Sequence, residues 1–249
     1  MDFDISPLWI SLKAATIATF FTFFFGVLLA KRVHSMKRGR FLLDGIVSLP
    51  LVLPPTVVGF FLLVIFGKNS AFGRLLSDLG INVVFTLAGA VIAAMVVSLP
   101  IMYRTTLGAF EQVDPELIDA ARTLGFNETA IFFKVWIPLS WPGIAAGTTL
   151  SFARSLGEFG ATMMIAGNLP GKTRTMSTAV YSAMQGGNRE LAYKWVLIIM
   201  AISFTTLVLM NYWSSRQYSR DERRENVRRH LSASGKSRES GMIAGEDNT

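Results

Sequence analysis

Five stretches of the chain run without a charged residue for long enough to cross a lipid bilayer, and this constrains the fold more than any other feature. Residues 14–30, 45–67, 79–103, 135–153 and 195–215 each approach or exceed the roughly 20 residues that a helix needs to traverse about 30 Å of hydrocarbon. In lipid the backbone N–H and C=O groups must be satisfied within the segment, so each run is predicted to be helical and the fold to be an all-α, polytopic membrane bundle. A sixth apolar patch, 159–171, is short and rich in glycine. It is predicted to be a re-entrant segment or a surface loop, giving five spanning helices, or six if the patch is counted. Composition agrees: 51% of residues are hydrophobic, 16% are charged and the mean hydropathy is +0.42, outside the range of soluble globular domains.

Lysine and arginine are unevenly distributed over the connections, which sets orientation. Lys31, Arg32, Lys37, Arg38 and Arg40 crowd the first connection. Alternation from there places 104–134 and the arginine-rich stretch from Arg216 in the cytoplasm. The N-terminus, the 68–79 loop and the 158–191 segment then lie outside. The net charge of +7 is a consequence of this topology. It is no nucleic-acid footprint, because the basic residues flank lipid with no aromatic stacking platform between them.

The chain has no cysteine, and its two histidines, His34 and His230, are far apart in sequence, so thiolate and histidine metal centres are not expected. No nucleophile lies near a base in the pattern that an enzyme would need. The first span lacks a basic leader and a small-residue cleavage site and is read as a retained helix. Residues 214–249 are mixed in charge and poor in apolar side chains, a composition predicted to be a disordered cytoplasmic tail following a membrane domain over 1–213.

Between the third and fourth spans lies a polar segment, 114–138. Asp114 suits an N-cap, Pro115 the first helical position and Glu116 the first turn, where the helix dipole favours negative charge. Leu117, Ala120, Ala121 and Leu124 recur with helical spacing as one narrow apolar stripe, and Gly125 fits the left-handed end of a helix. A second short helix follows, with Asn127 as cap and Ile131, Phe132 and Val135 on its buried side, before Pro138 opens the next span. Small residues at 120 and 121 suit either close approach to a partner's groove or packing on the chain's own bundle.

The run D-A-A-R-T-L-G at 119–125, followed after nine residues by V-W-I-P at 135–138, resembles the EAA motif of ABC importer permeases, with Asp119 for Glu, Val135 for Ile and Ile137 for Leu. Stretches 49–63 (LPLVLPPTVVGFFLL), 137–162 (IPLSWPGIAAGTTLSFARSLGEFGAT) and 166–181 (AGNLPGKTRTMSTAVY) are similar to the permeases of molybdate ABC transporters; sulfate permeases share part of this pattern. The resemblance implies a MetI-like permease fold in which 114–138 is a coupling segment, with Asp119, Ala120, Ala121, Gly125 and Pro138 at the ATPase contact. It further implies a homodimer with the path between the copies, two ABC ATPase subunits that bind ATP and Mg, and a molybdate-binding protein outside the membrane. No cofactor is expected in the chain itself, whose place would be the cytoplasmic membrane with the C-terminus inside. Sulfate or tungstate import is the alternative within the family, and an ATP-independent secondary anion transporter the alternative outside it. The latter would require internal repeats and an ionisable residue at mid-membrane, and neither is evident in the apolar runs.

Other motifs admit two readings each. Pro50, Pro54 and Pro55 are predicted to break the second span, either as a kink that curves the bundle or as a break lining the path. Arg154 and Glu158 sit one turn apart, as a structural ion pair or as a gate at the outer mouth. Thr148, Thr149, Ser151, Ser155 and Thr162 could line an oxyanion path with hydroxyls or join helices by hydrogen bonds. AGNLPGKT at 166–173 matches a loose phosphate-loop pattern, but the strict first glycine is missing and Pro170 interrupts it. Purified chain without partner subunits is therefore expected neither to bind nor to hydrolyse ATP; saturable binding of a fluorescent ATP analogue would refute this reading of the loop.

Overall fold

The computed structural model of the protein describes residues 4–36 and 38–209. The chain divides into a compact unit, Met1–Leu207, and a second, Val208–Thr249, of which only the two residues closing the last helix are described. The predicted tail, His230 and Arg216 therefore lie outside the described residues. Within them every regular element is helical: α1 (Ser6–His34), α2 (Arg40–Val52), α3 (Pro55–Phe66), α4 (Ala71–Asp78), α5 (Leu87–Glu111), α6 (Pro115–Thr123), α7 (Glu128–Ile131), α8 (Ile137–Leu156), α9 (Gly160–Ile165), α10 (Met176–Gln185) and α11 (Arg189–Leu209).

Four helical stretches are long and apolar enough to span a bilayer: α1, α5, Glu128–Leu156 and α11; the bent pair α2 and α3 provides a fifth. Helices α1 and α5 run in the same direction, since Ala14 and Ala18 share a cluster with Ala90 and Ala94, while Val27 and Ala30 share one with Met102 and Phe110. Small residues make this seam. A Cβ at Gly26 would lie 2.6 Å from the Met102 side chain, so the two helices approach as closely as lipid-embedded helices do where glycine and alanine line the contact. Helix α8 runs antiparallel to both, its Ile144 beside Met102 and its Leu156 beside Ala15. The first connection and the 104–134 segment thus gather at one end of the bundle, and the start of α1, α10 and the start of α11 at the other.

The second span departs from a straight crossing. Helices α2 and α3 meet at 112°. The break falls at Leu53 and Pro54, both extended, where Pro54 and Pro55 remove consecutive N–H donors. Pro50, expected to contribute to the break, instead sits inside α2 near its C-terminal end. The third span begins at Leu87, not at 79, because Phe85 adopts a left-handed φ of 59° and donates its N–H to the Ile165 carbonyl at 3.0 Å, and Thr86 bonds back to Asn82 and Val83. At its far end α5 continues past Tyr103 to Glu111 with its charged residues paired. Arg104 donates to Ser48 at 2.8 Å and lies 3.4 Å from Asp44, while Arg40 pairs with Glu111, so α2 is fastened to α5 by polar side chains along one face.

The 159–171 patch is buried in its first half and ends as an exposed loop over 169–171. Gly160, Ala161, Thr162, Ile165 and Ala166 are buried, and α9 packs on α3 and α5. Contact with α3 is backbone to backbone: a Cβ on Gly59 would sit 2.6 Å from Ala161 Cα, and one on Gly160 3.1 Å from Thr56 N. Replacing Gly59 by leucine is expected to destabilise the protein by about 1–3 kcal/mol through overpacking. Gly108→Ala, where a Cβ meets nothing within 4 Å, is expected to be tolerated. Thermal unfolding of the two variants in detergent checks the contrast.

Candidate functional site: the polar segment at the bundle end

Helix α6 begins and ends as its sequence dictates. The Asp114 side chain accepts the Glu116 N–H at 2.9 Å, and Pro115 occupies the first turn. Gly125, at φ 81°, closes the helix: its N–H goes to the Arg122 carbonyl and that of Phe126 to the Ala121 carbonyl, the paired bonds of a Schellman motif. Asn127 then caps α7 by accepting the Ala130 N–H at 2.7 Å.

The apolar stripe divides between two faces. Ala121, 6% exposed, turns inward with Ile118 and packs with Val113 and Ile131, whereas Leu117, Ala120 and Leu124 remain on the surface, Leu124 at 77%. The expectation of one shared face overlooked Ile118, the larger apolar residue three positions before Ala121, which sets the buried side. A face packed on the chain itself and an exposed apolar face are therefore both built into α6, with Ala121 on the first and Ala120 on the second.

Arg122 joins the two short helices. It lies 2.8 Å from Asp119 and 2.8 Å from Glu128, and the hydrogen bond to Glu128, followed by that to Asp119, holds its guanidinium above its ordinary pKa. The shorter Asp119 carboxylate thus has a partner within its own helix. Arg122 was not singled out from the sequence, although its place three residues after Asp119 and six before Glu128 is the available signal.

The second short helix is not a separate element. It continues through a π-helical turn, Phe132–Trp136, into α8, so that Glu128–Leu156 is one helical stretch. Pro138 explains the wider turn. It brings no N–H to the Lys134 carbonyl, and a π turn relieves the clash that its ring would make in a regular ladder.

The remaining candidates are distributed over α8, α9 and the α2–α3 break. The Thr148 hydroxyl donates to the Ile144 carbonyl and Thr149 to Ala145, within their own helix. Ser151 donates across to the Ser98 carbonyl of α5 at 3.4 Å. Ser155 and Thr162 are buried. Arg154 lies 2.7 Å from Glu158, which is 2% exposed and accepts the Ala161 N–H at 2.8 Å, so the pair ties the end of α8 to the start of α9. In the 166–173 loop the N–H groups of Lys172, Thr173 and Arg174 all point to the Leu169 carbonyl. The loop follows a helix, and α10 starts only at Met176, so this is not the strand–loop–helix of a phosphate cradle.

A bundle of multiple spans with a short capped helix pair at one end is the architecture of a multi-pass membrane transport subunit. The chain belongs to the family of binding-protein-dependent transport system inner membrane components, whose model matches residues 22–224. It is 44% identical over 210 residues to the molybdenum transport system permease protein ModB of Escherichia coli (strain K12), covering 83% of this chain and 91% of the relative. Similarity to the sulfate transport system permease protein CysT of Salmonella typhimurium (strain LT2) is lower, 36% over 208 residues, covering 83% and 75%. Its fold matches a chain from the inward-facing MetNI methionine ABC transporter with a TM-score of 0.69 at 15% identity, over 85% of this chain and 94% of that one.

Replacing Gly125 by valine forces a β-branched residue into the left-handed region, and should cost about 1–2 kcal/mol there. Faster amide hydrogen exchange confined to 114–131, with the spans unchanged, is the expected readout.

Proposed function

We propose that the chain is the membrane-spanning subunit of an ATP-driven importer that carries molybdate across the cytoplasmic membrane. The observation that supports an external motor is the exposed apolar face of α6, Leu117, Ala120 and Leu124, presented beside a buried seat that joins it to a spanning helix. Two ABC ATPase subunits, which bind ATP and Mg, dock on this face in a pair of such chains. Asp119 and Gly125 hold the helix in shape, and Pro138 stands where its movement enters α8. A molybdate-binding protein delivers the anion at the opposite end, with the N-terminus outside and the tail inside. The positive-inside rule supports this orientation, because Lys31, Arg32, Arg38 and Arg40 lie at the α6 end.

Molybdate is favoured over sulfate because the molybdenum permease is the more similar relative, and tungstate, an oxyanion of the same geometry, belongs to the same reading. The path runs between the two copies past the Pro54–Pro55 break and the hydroxyl-bearing end of α8, with Arg154 and Glu158 as a neutralised pair at the outer mouth. A dianion passes such a wall without being held by a ring of fixed positive charge.

The test is elemental analysis of cells lacking this gene, grown in equal trace molybdate and tungstate under excess sulfate, and complemented with wild-type, Leu124→Glu or Ala121→Trp chains. Wild type restores cell molybdenum. Leu124→Glu reaches wild-type levels in the membrane yet leaves molybdenum as in the deletion strain, whereas Ala121→Trp lowers the amount of folded chain. A defect in sulfate uptake alone would refute the substrate, and full complementation by Leu124→Glu would refute the docking face.

A further inference from the structure

A cavity of about 380 Å³ opens where the end of α1 meets the α7–α8 stretch, lined by Lys31, His34, Arg122, Glu128, Phe132 and Trp136 among others. Its charges are not equivalent. Arg122 and Glu128 neutralise each other at 2.8 Å, and Asp119 also holds Arg122. Lys31 makes no ion pair within 4 Å among the described residues, although its charge also acts on Glu128; its ammonium lies 3.8 Å from the centre of the Phe132 ring. His34 stands edge-on to Trp136, centroids 4.6 Å apart, and its Nδ1 is buried without a hydrogen-bond partner.

Depth in the membrane says what such a ligand is. Helix α1 has 29 residues and Glu128–Leu156 also has 29. At about 1.5 Å per residue each is about 43 Å long, well beyond the roughly 30 Å of hydrocarbon. Lys31 and His34 in the last turn of α1, and Trp136 near the start of the other stretch, therefore stand at the level of the lipid headgroups, where tryptophan is enriched. Basic pockets between spanning helices at this depth suit anionic headgroups.

We propose that this cavity is a phosphate site, occupied by the phosphodiester of an anionic phospholipid, with Lys31 as its charge partner and His34 as a hydrogen-bond donor. Because Phe132 and Trp136 belong to the π-helical turn, the headgroup also braces the joint between α7 and α8. Its phosphate chemistry is shared with free phosphate, which could enter from the aqueous side.

The experiment uses the full chain assembled with its ATPase partner, in nanodiscs of phosphatidylcholine alone or of phosphatidylcholine with phosphatidylglycerol. Native mass spectrometry counts phosphatidylglycerol retained per complex, and thermal stability is read in phosphatidylcholine discs with and without inorganic phosphate. Wild type, Lys31→Arg and the charge control Lys134→Gln are expected to retain a tightly held phosphatidylglycerol at each permease chain that Lys31→Gln loses. If only inorganic phosphate distinguishes Lys31→Gln, by a thermal shift that it lacks, the site holds for the free anion. If Lys31→Gln matches wild type in both arms, or Lys134→Gln loses as much as it does, there is no such site. Normal assembly of Lys31→Arg separates loss of binding from loss of fold.

Discussion

Where a helix breaks inside a membrane, the freed backbone groups must be answered by protein, and the rest of this structure is arranged around that requirement. Among the described residues the Leu53–Pro54 corner and the short helix α9 lie against each other, and each is the other's cover. Gly59 and Gly160 remove the side chains that would keep α3 and α9 apart. Phe85, held in a left-handed conformation, donates its N–H to Ile165 at the end of α9. Glu158 caps the start of the same helix while Arg154 neutralises it. A six-residue helix that could not stand in lipid alone is therefore satisfied at both ends by its neighbours.

Charge follows the same logic. Ion pairs gather towards the helix ends: Arg40 with Glu111, Arg104 with Asp44, Arg122 with Asp119 and Glu128, Arg154 with Glu158. Between them α1, α5 and α8 meet through alanine, glycine and hydroxyl side chains, and most of those hydroxyls bond to backbone carbonyls. The exposed pairs contribute little stability individually. Their value lies in fixing register, most evidently for α2, whose only buried residue is Ser48. An otherwise apolar helix is held to the bundle by what its polar residues find on α5.

Most of the architecture was legible because hydropathy, proline and capping residues report local physics. The number of spans, the Asp114 and Asn127 caps, Gly125 as terminator and the break at Pro54–Pro55 all follow from the side chains present. What escaped depends on tertiary contact. The start of α5 at Leu87 rests on Phe85 reaching Ile165, eighty residues on, and no hydropathy window registers a φ angle. Burial of α9 depends on glycines of two segments meeting. The division of the α6 stripe depended on Ile118 finding Val113 and Ile131. Pro50 was overweighted because a proline close to a helix end disrupts little of the ladder that follows it.

The continuity of Glu128–Leu156 decides how firmly α6 is joined to the bundle. Two independent short helices would absorb a push at their joints. Here α6 is seated on α7 by Ile118, Ala121 and Ile131, and clamped by Arg122 to Glu128; α7 in turn runs without a break into a stretch that ends beside Ala15 of α1. The soft point is the π turn, where one residue is accommodated without interrupting the helix. At the far end of α8, Arg154 and Glu158 tie it to the start of α9. Of the two short helices read from the sequence, the second is the start of a spanning helix and the first is packed against it.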